Sequence, residues 1–305
     1  MKKILEIMEK KREDIFVKDL KEELLGENEI AKLLKEKGLQ STNYIHLEKI
    51  EKKLKTKYIG NEILVFKEVD STNTVAEFLA ETGIGEGTVV ISETQTKGKG
   101  RYGRKWESPK GGIWLSIILK PDISPSKASF ITLATGVAVA KTLKSMGADV
   151  GIKWPNDILI NNKKVSGILT EASTSFNKVD YVIVGIGIDN NFNIDILPKE
   201  LQNKSTTLKN ELKTNITNTE LILKFLNEFE KVYELFKEEK FDDILYYWRK
   251  MSATIGRQVE IKQSHEKTLK GYAVGINKEG ALILEEDDGK LRKILSGDCL
   301  IKKIN

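Results

Sequence analysis

Apolar residues recur every three or four positions at the start of the chain. Ile4, Leu5, Ile7 and Met8 form the first such group, Val17, Leu20 and Leu24 the second, and Ile30, Leu33 and Leu34 the third; Leu47, Ile50 and Leu54 form a fourth. This spacing lines one face of a helix, so residues 1–56 are predicted as a series of short helices, the third ended by Gly38. From Ile63 the pattern changes. Short apolar, β-branched blocks bounded by Gly, Pro, Asn and Asp predict strands over 63–68, 88–92, 113–119, 151–153, 157–160, 164–170 and 179–188. The last block is almost continuously apolar and is expected at the centre of the sheet. Asn161-Asn162 predicts a hairpin turn. Helical periodicity predicts helices over 74–81, 126–146 and 219–239. Beyond Arg249, strands over 258–262, 268–276, 281–285 and 290–295 with glycine turns predict a small β-barrel. The chain therefore reads as α/β (α+β) in three parts: a helical N-terminal segment 1–56, a mixed domain 57–250 and a small C-terminal β-barrel 251–305.

Composition narrows the chemistry. The chain has 305 residues, 40% of them hydrophobic, enough for a real core. Lys+Arg 50 against Asp+Glu 45 gives a net charge of +5, far from the density of a dedicated nucleic-acid binder. Cys299 is the only cysteine, so no intramolecular disulfide and no cysteine metal cluster can form. His46 and His265 are the only histidines, too few for a His-built metal site or a convincing Ser-His-Asp triad. No stretch reads as a membrane span or a secretory leader, so a cytoplasmic location is expected. The first three helical segments fit the length of a helix-turn-helix. However, the third opens with Glu27 and Glu29, where a DNA reader needs donors and positive charge, and no wing is evident between Gly38 and Lys57. A helical cap or dimerisation element is expected instead, and DNA binding is not.

Four polar clusters interrupt the apolar blocks. Asp70-Ser71-Thr72-Asn73 precedes a helix and offers more capping residues than one helix can use. The second cluster contains Gly98-x-Gly100-x-x-Gly103, preceded by Gln95. A dinucleotide loop must open into a helix, but here Pro109 and Gly111-Gly112 intervene and the next block is a strand. The glycines instead alternate with Lys97, Lys99, Arg101, Arg104 and Lys105, ahead of Trp106, a pattern that can surround an anion. The third cluster is Lys153-Trp154-Pro155-Asn156-Asp157, whose lysine, amide and carboxylate suit phosphate, base or ribose, and Mg2+ respectively. The fourth runs from Lys163-Lys164 to Gly167; a glycine inside a strand marks a bulge or a close approach, as does Gly185-Ile186-Gly187. Chemistry rich in cations and free of histidine and cysteine suits activation of a carboxylate by ATP.

These motifs, "EVDSTN", "GKGRYGRKW", "KWPNDILINNKKVSGIL" and "VIVGIGI", resemble those of biotin protein ligases, in the same order and at similar spacing, from about Tyr58 to the C-terminus. The resemblance implies a class II synthetase-like mixed sheet flanked by helices. It implies adenylation of biotin by ATP with Mg2+, then transfer to one lysine of a biotin carboxyl carrier domain of a biotin-dependent carboxylase. By the same resemblance Ser71, Thr72, Asn73, Gln95, Gly98, Lys99, Gly100, Arg101, Lys164, Gly167 and Gly185 would bind biotin. Arg101, Arg104, Trp106, Lys153, Asn156 and Lys164 would bind ATP, with Arg101, Lys153 and Lys164 catalytic and Asp157 on the metal. A homodimer through a sheet edge is implied as well. Lys99 departs from the arginine common in the family, and Asp189 stands near the expected adenylate site. A lipoate ligase of the same fold, or a ligase that also represses transcription, are the alternatives.

Overall fold

The apolar blocks between residues 63 and 188 join into one seven-stranded sheet. The computed structural model describes residues 44–263 and 268–302. The strands are β1 (Ile63–Val69), β2 (Val89–Gln95), β3 (Ile113–Leu119), β4 (Gly151–Lys153), β5 (Asp157–Ile160), β6 (Lys163–Ser175) and β7 (Lys178–Ile188). Their spatial order is β1-β2-β3-β7-β6-β5-β4, so the apolar β7 lies at the centre as its composition predicts. Only β1 and β2 run parallel; the other pairs are antiparallel. Asn161 and Asn162 both adopt left-handed φ, the geometry of a tight two-residue hairpin between β5 and β6.

Residues on a strand alternate between the two faces of the sheet, and both faces are buried. One face carries Val65, Ile91, Leu115, Ile117, Val184 and Ile186 into the main core. It packs against α3 (Pro125–Ser145), behind which runs α6 (Asn218–Lys237). Phe225, Phe229, Tyr233 and Phe236 form a stacked ridge along α6, and each such ring contributes roughly 1.5–3 kcal/mol by burial. The other face presents Leu64, Phe66, Val90, Ile118 and Ile183 to Val75, Phe78 and Leu79 of α2 (Thr72–Glu81). Because α2 has only ten residues, it covers part of that face. The remainder carries Gly167, Gly185 and Gly187, which form the floor of a cavity, with Ser116 beside Gly185.

The chain enters the sheet through α1 (Leu47–Lys53), which packs beside α6. Buried Glu230 of α6 then accepts hydrogen bonds from the backbone N–H groups of Lys57, Tyr58 and Ile59 at 2.5, 3.0 and 2.9 Å. The helices predicted over the first 38 residues, and the reading against a helix-turn-helix there, lie outside the described residues. After the sheet come the short helices α4 (Lys199–Gln202) and α5 (Leu208–Leu212), and α6 is followed by α7 (Phe241–Lys250). None of these three is evident from the apolar pattern. In α7 only Ile244, Leu245 and Trp248 are buried, so its apolar stripe is short.

The C-terminal strands β8 (Gln258–Lys262), β9 (Thr268–Ile276), β10 (Leu282–Glu285), β11 (Leu291–Ile294) and β12 (Asp298–Ile301) form an antiparallel sheet ordered β11-β10-β9-β8-β12. The strand order among the described residues is open, so this is a sheet and not the closed barrel expected. The apolar pattern does not predict β12, since a four-residue strand beginning with Asp298 carries little of it. Val259, Ile261 and Leu269 join the same core as α3, so the two sheets share apolar contacts. No helix among the described residues is long and apolar enough to cross a membrane.

Candidate functional site

The cavity above the floor has a volume of about 410 Å3. Its two ends differ in chemistry. At the first end, Ser71 is the N-cap residue of α2 but makes no side-chain capping bond. The surplus of capping residues is turned to other uses. Gln95 accepts from the Thr72 backbone N–H at 2.8 Å and from Thr72 Oγ1 at 3.1 Å, and donates through Nε2 to Ser108 Oγ at 2.8 Å. Asn73 donates through Nδ2 to Glu171 Oε2 at 2.6 Å. Ser116 Oγ lies 2.7 Å from Thr72 Oγ1 and 2.6 Å from Asn73 Oδ1. A Cβ on Gly185 would stand 2.1 Å from that Asn73 oxygen, so only glycine leaves room for the amide.

The second end is cationic, and a bulge builds it. Register along β5 and β6 runs from Ile158 opposite Ser166 to Leu159 opposite Lys164, which leaves Val165 as an extra residue. In a regular strand Lys164 would share the core-facing side of Ser166; the bulge rotates it into the cavity. There Lys164 Nζ meets Asp157 Oδ1 at 2.5 Å, while Lys153 Nζ meets Asp157 Oδ2 at 2.7 Å. Burial raises the pKa of Asp157, but the two ammonium groups outweigh it and hold the carboxyl at about 2. Asp189, also buried in this cavity, has the opposite balance: burial holds its carboxyl well above the usual range, opposed only by Lys164. Cys299 lines the same end, and burial pushes its thiol up to about 12.

The basic glycine segment is neither a helix nor an open loop. Bridges between Gln95 and Ser108 and between Lys99 and Lys105 extend it as a hairpin from the sheet. Tyr102 and Gly103, both at left-handed φ, turn its tip. Arg101 Nη1 donates to Asn156 Oδ1 and to the Gly297 carbonyl, both at 3.2 Å, and Arg104 Nη2 meets Asp298 Oδ1 at 2.7 Å. The hairpin tip is thus tied to the start of β12. Gly98 lies inside the hairpin, where a Cβ would stand 2.3 Å from the Trp106 carbonyl. It is the one predicted site residue that does not line the cavity.

Gly167 and Gly187 are cross-strand partners and form a trough. The Trp106 indole lies in it: a Cβ on either glycine would fall 2.9 or 2.5 Å from the ring. The close approach read from those glycines is made by Trp106 itself. Lys164 Nζ stands 4.8 Å from the centre of that ring. The remaining predicted residues (Ser71, Lys99, Gly100 and Arg104 among them) all line the cavity.

Comparison with known proteins agrees with this geometry. Residues 65–189 match the profile of the Biotin/lipoate A/B protein ligase family, and residues 254–302 that of the Biotin protein ligase C terminal domain. The chain is 39% identical over 247 residues to the bifunctional ligase/repressor BirA of Bacillus spizizenii, across 80% of this chain and 75% of that protein. The chain belongs to the biotin protein ligase family. It is 28% identical to the biotin–[acetyl-CoA-carboxylase] ligase of Mycobacterium tuberculosis, across 82% and 94% of the two chains. Its fold matches a solved biotin protein ligase from Aquifex aeolicus in complex with biotin and ATP, with a TM-score of 0.68, 30% identity, and 80% and 100% of the two chains covered.

In this ligase several residues that support the site escaped sequence reasoning. Ser116 had a signal: it is the only polar residue in the block 113–119. Glu171 had none, because it sits where a solvent-facing strand residue is ordinary. The residues do not fit a resident Mg2+. Both oxygens of Asp157 are taken by lysines, and among the described residues no cluster of three His, Cys, Asp or Glu could hold a metal.

Proposed function

We propose that this ligase joins biotin to AMP from ATP and then passes the biotinyl group to one lysine of a biotin carboxyl carrier domain. One observation carries the reading: a single cavity joins a neutral hydrogen-bonding end, suited to the polar ring of biotin, to a cationic end, suited to phosphate. Biotin, held with its ring near Thr72, Asn73 and Ser116, would direct its carboxylate towards Lys164. A carboxylate oxygen attacks the α-phosphorus, and the bond to pyrophosphate breaks. Lys153, Lys164 and Arg101 would stabilise the charge that builds on the phosphate oxygens, and most of the rate would come from position and electrostatics. Arg104, Trp106 and Asn156 would hold the nucleotide. The hairpin over the site would keep water from the mixed anhydride. The amine of the acceptor lysine then attacks the acyl carbon, and AMP leaves.

Biotin-dependent exchange of pyrophosphate into ATP tests the reading, with lipoate and octanoate in parallel. Exchange with biotin alone is the expected result; exchange with lipoate in its place would overturn it. Transcriptional repression is a second reading, favoured by the ligase/repressor character of the Bacillus relative. The acidic opening of the third N-terminal segment weighs against it, and a salt-titrated DNA-binding assay separates the two. Strand β1, paired on one side only among the described residues, offers an edge for the proposed homodimer.

A further inference from the structure

Asn73 is 4% exposed, and its amide could in principle be held in either of two senses. A carboxylate only accepts hydrogen bonds. With Glu171 Oε2 at 2.6 Å from Nδ2, the nitrogen must face Glu171 and the oxygen must face Ser116 and the Gly185 backbone. Glu171 reaches this place because it shares a face of β6 with Leu169, the cross-strand partner of Gly185. The mechanism gives it no other task.

The protons at this end can be counted. Gln95 has its sense set by donation to Ser108, so its oxygen takes the proton of Thr72 Oγ1. Ser116 then has one proton for two oxygens, Thr72 Oγ1 at 2.7 Å and Asn73 Oδ1 at 2.6 Å. Three oxygen–oxygen contacts at 2.6–3.1 Å thus share the two hydroxyl protons of Thr72 and Ser116, so one of them lacks a donor. Buried acceptors are costly when left without a donor. We propose that Glu171 is a positioning residue: it fixes the Asn73 amide so that Oδ1 meets the cavity as an acceptor for an N–H of a bound cyclic urea. The proposal rests on the biotin reading above and extends it to the residue that sets the polarity of the pocket. A purely hydrocarbon or dithiolane ring would leave that acceptor unfilled, so the same arrangement selects against lipoate-like acids.

The test is steady-state pyrophosphate exchange for the wild type, Glu171→Ala and Glu171→Gln. In Glu171→Ala the amide is free to turn, and KM for biotin is expected to rise about 10- to 30-fold, with kcat and KM for ATP within about twofold. In Glu171→Gln the side-chain oxygen can still accept from Nδ2, and KM is expected to return to within about threefold of the wild type. An unchanged KM for biotin in Glu171→Ala, or a Gln variant as impaired as the Ala variant, would overturn the proposal. A parallel loss of kcat, both KM values and melting temperature would do so too, since it would show a structural role. If the Ala variant does not fold, the wild type is tested with biotin methylated at each ring nitrogen in turn. One analogue should bind at least about tenfold more weakly than biotin; equal binding of both overturns the proposal. Failure of the wild type to exchange with biotin would sink the functional reading itself, whereas exchange with an unresponsive Glu171 would sink only this inference.

Discussion

The two ends of the cavity are built by different means. The neutral end rests on regular elements: the first turn of α2 and the cross-strand pair Ser116 of β3 and Gly185 of β7. Its hydroxyls and amides are held by one another, at 2.6–3.1 Å, before any ligand is considered. The cationic end rests on irregular ones: the bulge at Val165, the turn after Lys153 and a hairpin tied to a second sheet. The first arrangement suits recognition, where a fixed set of donors and acceptors discriminates between ligands. The second suits catalysis, where charges must converge on a point that no single regular strand reaches. Binding and rate should therefore separate when each end is damaged.

The largest effect is expected at Lys164. Removing its ammonium in Lys164→Ala should lower the exchange rate about 10^3-fold, measured at saturating biotin and ATP. Arg101→Ala comes next. Its loss should shorten the lifetime of enzyme-bound biotinyl adenylate about tenfold, followed by chasing labelled intermediate, because the hairpin would lose its ties to Asn156 and Gly297. Asp157 and Asp189 sharpen the contrast within the cationic end. Asp157 is held at about 2, below its ordinary 3.8, so its pairing contributes stability above about pH 4. That contribution, about 2 kcal/mol, should be lost as pH falls from about 4 to about 2. Chemical denaturation of the wild type and Asp157→Asn across that range should show the two curves converge. Asp189 runs the other way. Its carboxyl is raised by burial, so the folded chain keeps a proton that the unfolded chain releases, and stability falls as pH rises above the ordinary carboxylate range. Asp189→Asn should thus melt above the wild type at pH 8 and level with it at pH 4.

How much of this could be read from residues alone follows from the same division. The strands over 113–119, 151–153 and 157–160 match the observed β3, β4 and β5 end to end, since apolar blocks bounded by Gly, Pro and Asn carry their own limits. Asn161-Asn162 specified its turn locally. The presence of the basic glycine segment and of Lys153–Asp157 was also legible, because charge inside an apolar strand pattern is conspicuous. What could not be read was direction. The spacing of Lys163-Lys164-Val165-Ser166 does not by itself reveal which lysine enters the cavity; the family resemblance pointed to Lys164, and a one-residue register shift against β5 is what turns it inward. Likewise Gly167 and Gly187 announced a close approach but not its maker, which is Trp106, contributed by the hairpin far from both in sequence. Asp157 announced a carboxylate among cations, which suits a metal or a salt bridge equally until both its oxygens are seen to be taken.

The most direct test of the division into a reading end and a reacting end is a paired measurement on Asn73→Ala and Lys164→Ala: biotin affinity by calorimetry, and exchange rate at saturating biotin. The account predicts that Asn73→Ala weakens biotin binding about tenfold or more while keeping the saturated rate within about threefold. It predicts the reverse for Lys164→Ala: affinity within about tenfold and a rate reduced about 10^3-fold. If both variants lose affinity and rate in the same proportion, the cavity does not separate recognition from chemistry, and the account is wrong.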